Sequence, residues 1–162
     1  MSAEIAAALP GRDTRIAALL RTTDATAPLV VRVALGTVMF PHGAQKLLGW
    51  FGGFGFSATM GHLTGHYHLP APIAFLVIVI ESFGALALVA GAFTRVAAAG
   101  LAAVMIGAIV TSHLEHGFFM NWFGKQAGEG FEYHLLVLAM AAALMITGGG
   151  RASVDRALAP DA

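Results

Sequence analysis

The chain has 162 residues, 57% of them hydrophobic and 11% charged, and its nine basic and nine acidic side chains cancel. A soluble domain carries about a quarter charged residues, so the composition points to lipid as the solvent, and the balanced charge argues against nucleic acid as a partner. The absence of cysteine excludes disulfides, thiolate nucleophiles and iron–sulfur clusters, which leaves any redox chemistry to a bound group or a partner protein.

Residues 1–26 are alanine-rich with scattered polar side chains, and "EIAAALPG" is too short and interrupted for the apolar core of a signal peptide. An interfacial cytoplasmic segment is expected there, with Asp13 capping a short helix over "TRIAALLR". The apolar runs that follow reach the roughly 20 residues needed to cross about 30 Å of hydrocarbon. Helices are expected because lipid satisfies no backbone polar group. The predicted spans are residues 27–48, 71–90, 95–114 and 131–147, inside a transmembrane domain over 27–149. The loop from Gly49 to Leu69 has room for a short interfacial helix between Ser57 and His66. Pro70 and Pro72 suit the first turn of the second span, and the short "GAFT" turn makes spans two and three antiparallel neighbours. Gly148 to Gly150 end the last helix, and residues 150–162 form a polar tail. "GGGRASVD" follows a helix and lacks the lysine of a phosphate loop, so it reads as a helix end.

The expected architecture is therefore all-α, an integral membrane four-helix bundle. Arg12, Arg15, Arg21, Arg95, Arg151 and Arg156 fall on one side, and only Lys46 and Lys125 on the other. The positive-inside rule puts both termini of a multi-pass membrane protein in the cytoplasm. All seven histidines, both tryptophans and both tyrosines then lie toward the outer side.

At 100° per residue Arg32, Gly36, Met39, Gly43 and Lys46 fall within about 40° of one line, with Pro41 on the opposite face. That stripe is expected to face the other helices, with the proline toward lipid. Glu81 lies near the middle of the second span, where a bare carboxylate costs about 2.5 to 3.5 kcal/mol, so it needs a partner or a proton. Arg32 is the expected partner, an intramembrane ion pair. His42, Gln45, Lys46 and Glu132 gather at the outer end, where a Lys46–Glu132 pair would neutralise two charges. His113 and His116, at i and i+3, are weak metal candidates, and no metal site is expected from so incomplete a set. His134 sits about 160° around a helix from Glu132 and is set aside on that ground. His62, His66 and His68 could hold a metal if their segment is helical, but they read as a flexible solvated loop cluster.

Three stretches in order, "RVALGTVMFPHGAQKLLG", "ESFGALALVAGAFTRVAAAG" and "FEYHLLVLAMAAALMITGGGRASVD", resemble the DoxX family of small bacterial membrane proteins over about residues 29–156. The shared elements are HGxxK (His42, Gly43, Lys46), a glutamate with its glycine (Glu81, Gly84), GxxTR (Gly91, Thr94, Arg95) and GxGRxSxD (Gly148, Gly150, Arg151, Ser153, Asp155). The resemblance implies a four-helix transmembrane bundle of the bacterial inner membrane associated with redox chemistry, the family name deriving from a subunit of a thiosulfate:quinone oxidoreductase.

Two classes of function stay open. In the first, the chain is a membrane subunit of an oxidoreductase with a polar outward pocket that takes a quinone, the candidate binding residues being His42, Gln45, Lys46, Glu81 and Glu132, and electrons coming from a soluble or membrane partner. In the second, it is non-enzymatic and binds a lipid or apolar ligand, or scaffolds a partner, its small-residue helix faces also suiting homo-oligomers. A proton or ion pathway through Arg32, Glu81 and the outer histidines is a third reading. No cofactor is expected to be built in.

Overall fold

The computed structural model describes residues 13–159. Residues 1–12 and 160–162, read from sequence as parts of the interfacial segment and the tail, lie outside it, as do the side chains of residues 13–15 and with them the expected Asp13 cap. The described residues form helices and no strand: α1 (Asp13–Leu20), α2 (Thr26–Leu48), α3 (Gly55–Gly65), α4 (Ala71–Ala90), α5 (Thr94–His116), α6 (Glu132–Thr147) and α7 (Val154–Leu158). Helices α2, α4 and α5 are each long and apolar enough to cross a membrane. Helix α6 is apolar but has 16 residues, about 24 Å of axis.

Local chemistry sets these bounds. Gly49 ends α2 in the left-handed region (φ +73°), its N–H returning to the Ala44 carbonyl, and Pro72 sits in the first turn of α4, where no donor is needed. The Gly/His loop is ordered in its middle as α3, which packs on α2 and α4. Helix α2 packs against α4 and α6, and α5 packs against the same two. A Cβ on Gly43 would lie 2.5 Å from the Glu81 carbonyl, and one on Gly36 would lie 2.7 Å from that of Ala85, so the α2–α4 contact is backbone against backbone. Pro41, expected to face away, is half-buried.

The interior holds Leu35, Met39, Leu88, Leu101, Met105, Val137 and Leu144. Large apolar side chains such as Phe83, Val110, Leu136 and Ile146 stand exposed along the same helices. An outer face as apolar as the inner one fits a chain solvated by hydrocarbon.

At the end where the α4–α5 turn and the C-terminal segment meet, hereafter the tail end, three motifs interlock. Arg32 is buried and spends its donors on backbone carbonyls: Nε on Gly149 (2.9 Å), Nη1 on Leu88 (3.1 Å) and Val89, Nη2 on Ala152 (2.7 Å) and Arg151 (3.3 Å). Asp155, also buried, accepts from the N–H groups of Phe93 (2.5 Å) and Thr94 (2.8 Å), the start of α5. Arg95 reaches the carbonyls of Arg21, Met145 and Ile146. Gly91 (φ +70°) leaves no room for a side chain, since a Cβ would lie 2.9 Å from Arg32 Cζ and 2.5 Å from Ser153 Cβ.

Candidate functional site

At the opposite end of the helices, the loop end, the last turns of α2 carry His42, Gln45 and Lys46. Two widened π-helical turns face them: Ile80–Gly84 in α4, which includes Glu81, and Ile109–His113 in α5. A π turn inserts a residue into the helical phase and re-aims the side chains around it, and such turns occur frequently at functional sites. These elements, with the first turn of α6 and the inner side of α3, line a half-open cavity of about 720 Å³. Its walls are mostly apolar, with Met39, Leu76, Val77, Ile80 and Met105 among them. Its polar lining includes His42, Gln45, Lys46, His62, Glu81, His113, Glu129, Tyr133 and His134.

Lys46 Nζ lies 2.5 Å from Glu81 Oε2, forming a charge-assisted hydrogen bond within the cavity wall. Glu81 is 6% exposed at its side chain and Lys46 28%, so the carboxylate is covered while the lysine side chain stays partly exposed. Ser82 Oγ donates to the Gly43 carbonyl at 3.1 Å, fixing the π turn against α2.

The DoxX family model matches residues 27–114, more than half of the chain and the whole stretch from α2 to the end of the α5 π turn. The chain belongs to the DoxX family. It is also similar to a Bacillus subtilis (strain 168) protein named "Putative oxidoreductase CatD", with 31% identity over 116 residues that cover 72% of this chain and 76% of that protein. No solved structure matches it significantly.

This DoxX chain does not form the ion pair expected between Arg32 and Glu81. The reason is register: Arg32 precedes Lys46 by about 21 Å of helix axis, and in the antiparallel α2–α4 pair it meets the carbonyls of Leu88 and Val89. Glu81 instead lies level with Gly43, within reach of Lys46. The expected Lys46–Glu132 pair is likewise replaced, because Glu132 Oε1 accepts from Trp122 Nε1 at 3.0 Å in the α5–α6 connection and Glu132 does not line the cavity.

Of the remaining candidates, His42 and Gln45 do line it, Gln45 also donating to the Phe51 carbonyl at 3.2 Å. His113 is in the wall, whereas His116 stands against Gly128 with Nε2 3.6 Å from Glu115, so the two do not face a common point. His62, His66 and His68 are exposed, as expected of a solvated cluster, but the first two stand on a helix and its cap rather than in a loop. These two are one helical turn apart along α3 and the cap after it, rings stacked at 5.0 Å, and His62 touches the cavity.

Sequence reasoning missed Tyr133 and His134. The helical-phase argument that Glu132 and His134 face opposite ways holds, but it is His134 that turns inward, buried, and Glu132 that turns to the connection. Tyr133 Oη donates to Met39 Sδ at 3.4 Å, and its ring stands 6.1 Å from His42 and 5.8 Å from His134. The signal available was the phase of Val137, Ala141 and Leu144, all buried on the face of α6 that carries His134.

Proposed function

We propose that the chain crosses a bacterial cytoplasmic membrane four times as a four-helix bundle, both termini cytoplasmic, and serves as the quinone-binding membrane subunit of an oxidoreductase. Arg21, Arg95, Arg151 and Arg156, all at the tail end, support the orientation. Helix α6, the shortest of the four, is accommodated by local thinning of the bilayer. The name of the Bacillus subtilis relative supports the redox part of the reading.

The observation that carries it is the Lys46–Glu81 pair set into a large, mostly apolar cavity. The residues present fit a quinone: apolar walls for its tail, an ammonium for a carbonyl oxygen and a carboxylate for a proton. When bound, the quinone supplies two-electron, two-proton chemistry. Lys46 orients the head by donating to its oxygen, Glu81 holds Lys46 in place and exchanges protons at its carboxylate, and the apolar walls exclude water. Electrons arrive from a partner protein, since the chain has no thiol to carry them.

Native mass spectrometry of the protein in mild detergent, with solvent extraction of the same sample, tests the reading. A co-purifying quinone, absent from the Lys46→Met and Glu81→Gln proteins, is the expected result. Phospholipid in its place, unaffected by either substitution, would support instead a non-redox protein that holds an apolar ligand, a reading favoured by the predominance of apolar groups in the walls.

A further inference from the structure

We infer that His113 and His134 form a second hydrogen-bonding subsite of the cavity, one that accepts from a hydroxyl and so favours the quinol form of a ligand over the quinone form. This rests on the cavity being the ligand site proposed above.

His134 is 6% exposed, yet its Nδ1 is buried with no hydrogen-bond partner in the protein. Buried polar atoms nearly always have partners, and this unpaired nitrogen belongs to a ring that lines the cavity, the side from which a partner outside the protein can come. Its ring lies 4.1 Å from that of His113, tilted by 45°. Rings overlapping so closely do not share an in-plane hydrogen bond, so the pair does not satisfy itself. A histidine pair that merely filled the core would have its nitrogens paired within the protein.

His113 has a defined role in the pair. Its Nδ1 lies 2.8 Å from the carbonyl oxygen of Glu129, which only accepts, so Nδ1 carries the hydrogen and Nε2 of the neutral ring is an acceptor. His113 ends the π turn of α5, just as Glu81 sits in that of α4, and both line the cavity. The polar places of the cavity thus differ in kind. At one, Glu81 is covered and bonded to Lys46, whose ammonium offers only donors and suits a carbonyl oxygen, whereas the His113 side offers an acceptor and suits an O–H. A quinone head has no hydrogen to give there; a quinol has.

Equilibrium dialysis of the full-length protein in detergent against decylubiquinone and, anaerobically, decylubiquinol tests the subsite. In His134→Phe and His113→Phe, quinol affinity is expected to fall about tenfold while quinone affinity stays within about twofold, and His134→Gln, which keeps an amide acceptor, should restore part of the quinol binding. Thermal unfolding checks that each variant is folded; if a Phe variant is not, His134→Gln and His113→Asn are compared with wild type, and a lower quinol-to-quinone preference is expected. Variants that bind both forms as wild type does, or lose both equally, overturn the subsite and leave the cavity reading standing. Wild-type protein that binds neither form overturns that reading and the subsite with it.

Discussion

Lys46 and Glu81 meet at 2.5 Å, joining the loop end of α2 to a π turn in the middle of α4. The contact exists because Gly43, one turn before Lys46, lets the two backbones approach until a Cβ would lie 2.5 Å from the Glu81 carbonyl. Ligand site and helix packing therefore share the same few residues.

Removing one charge of this pair strands the other. Lys46→Met and Glu81→Leu are each expected to lower stability by about 2 to 3 kcal/mol, and the double substitution by clearly less than the sum. Reversible unfolding of the four proteins in one detergent, arranged as a double-mutant cycle, measures the coupling; strict additivity would mean that the pair contributes nothing.

Glycine substitutions separate close approach from open surface. Gly43→Ala and Gly36→Ala force backbone apart between α2 and α4 and are expected to cost about 1 to 3 kcal/mol or more. Gly107→Ala meets nothing within 4 Å inside α5 and should be neutral or stabilising by up to about 1 kcal/mol. Melting temperatures of the three variants rank them.

Arg32 holds five backbone carbonyls of the tail end with a planar fork that lysine cannot reproduce. Arg32→Lys should release the C-terminal segment. Amide exchange at Arg151 and Asp155, whose N–H groups bond the carbonyls of Ala25 and Gly91, is expected to accelerate while the middle of α5 stays protected.

Asp155 caps α5 across the fold, from 61 residues beyond Thr94 along the chain. Asp155→Ala should cost about 1 to 2 kcal/mol and Asp155→Asn less, since one acceptor remains. Far-ultraviolet circular dichroism during unfolding reads both.

Asp24, exposed before α2, has its carboxyl held below the usual carboxylate range by the hydrogen bond from the Arg156 guanidinium, helped by the charges of Arg156 and Arg151 and opposed by slight desolvation. A depressed pKa stabilises the fold above the unfolded value of about 3.9 and ceases to do so as pH falls through the folded one. The melting-temperature gap between wild type and Asp24→Asn should be present at pH 7, shrink as pH falls below about 4, and narrow with added salt.

The motifs that carried the family resemblance divide between the two ends. His42, Gly43, Lys46 and Glu81 build the cavity and its α2–α4 wall. Gly91, Arg95, Ser153 and Asp155 build the clasp at the tail end, where Ser153 Oγ accepts from Arg156 N–H and donates to the Gly150 carbonyl. From sequence the second group read as a turn and a polar tail, because a contact between residues 93 and 155 leaves no local pattern.

Helical class, the long apolar helices and the polar stripe of α2 follow from composition and a 3.6-residue period, which are local and one-dimensional. Partner choice is not. Arg32 and Lys46 lie on one face of one helix and are equally charged, so nothing in their spacing says which of them meets Glu81. The antiparallel register of α2 and α4 decides it, set by two glycines and a π turn, and gives the arginine to backbone carbonyls and the lysine to the carboxylate. In the same way helical phase separates Glu132 from His134, but only the packing of α6 on α5 and α2 turns the histidine to the cavity.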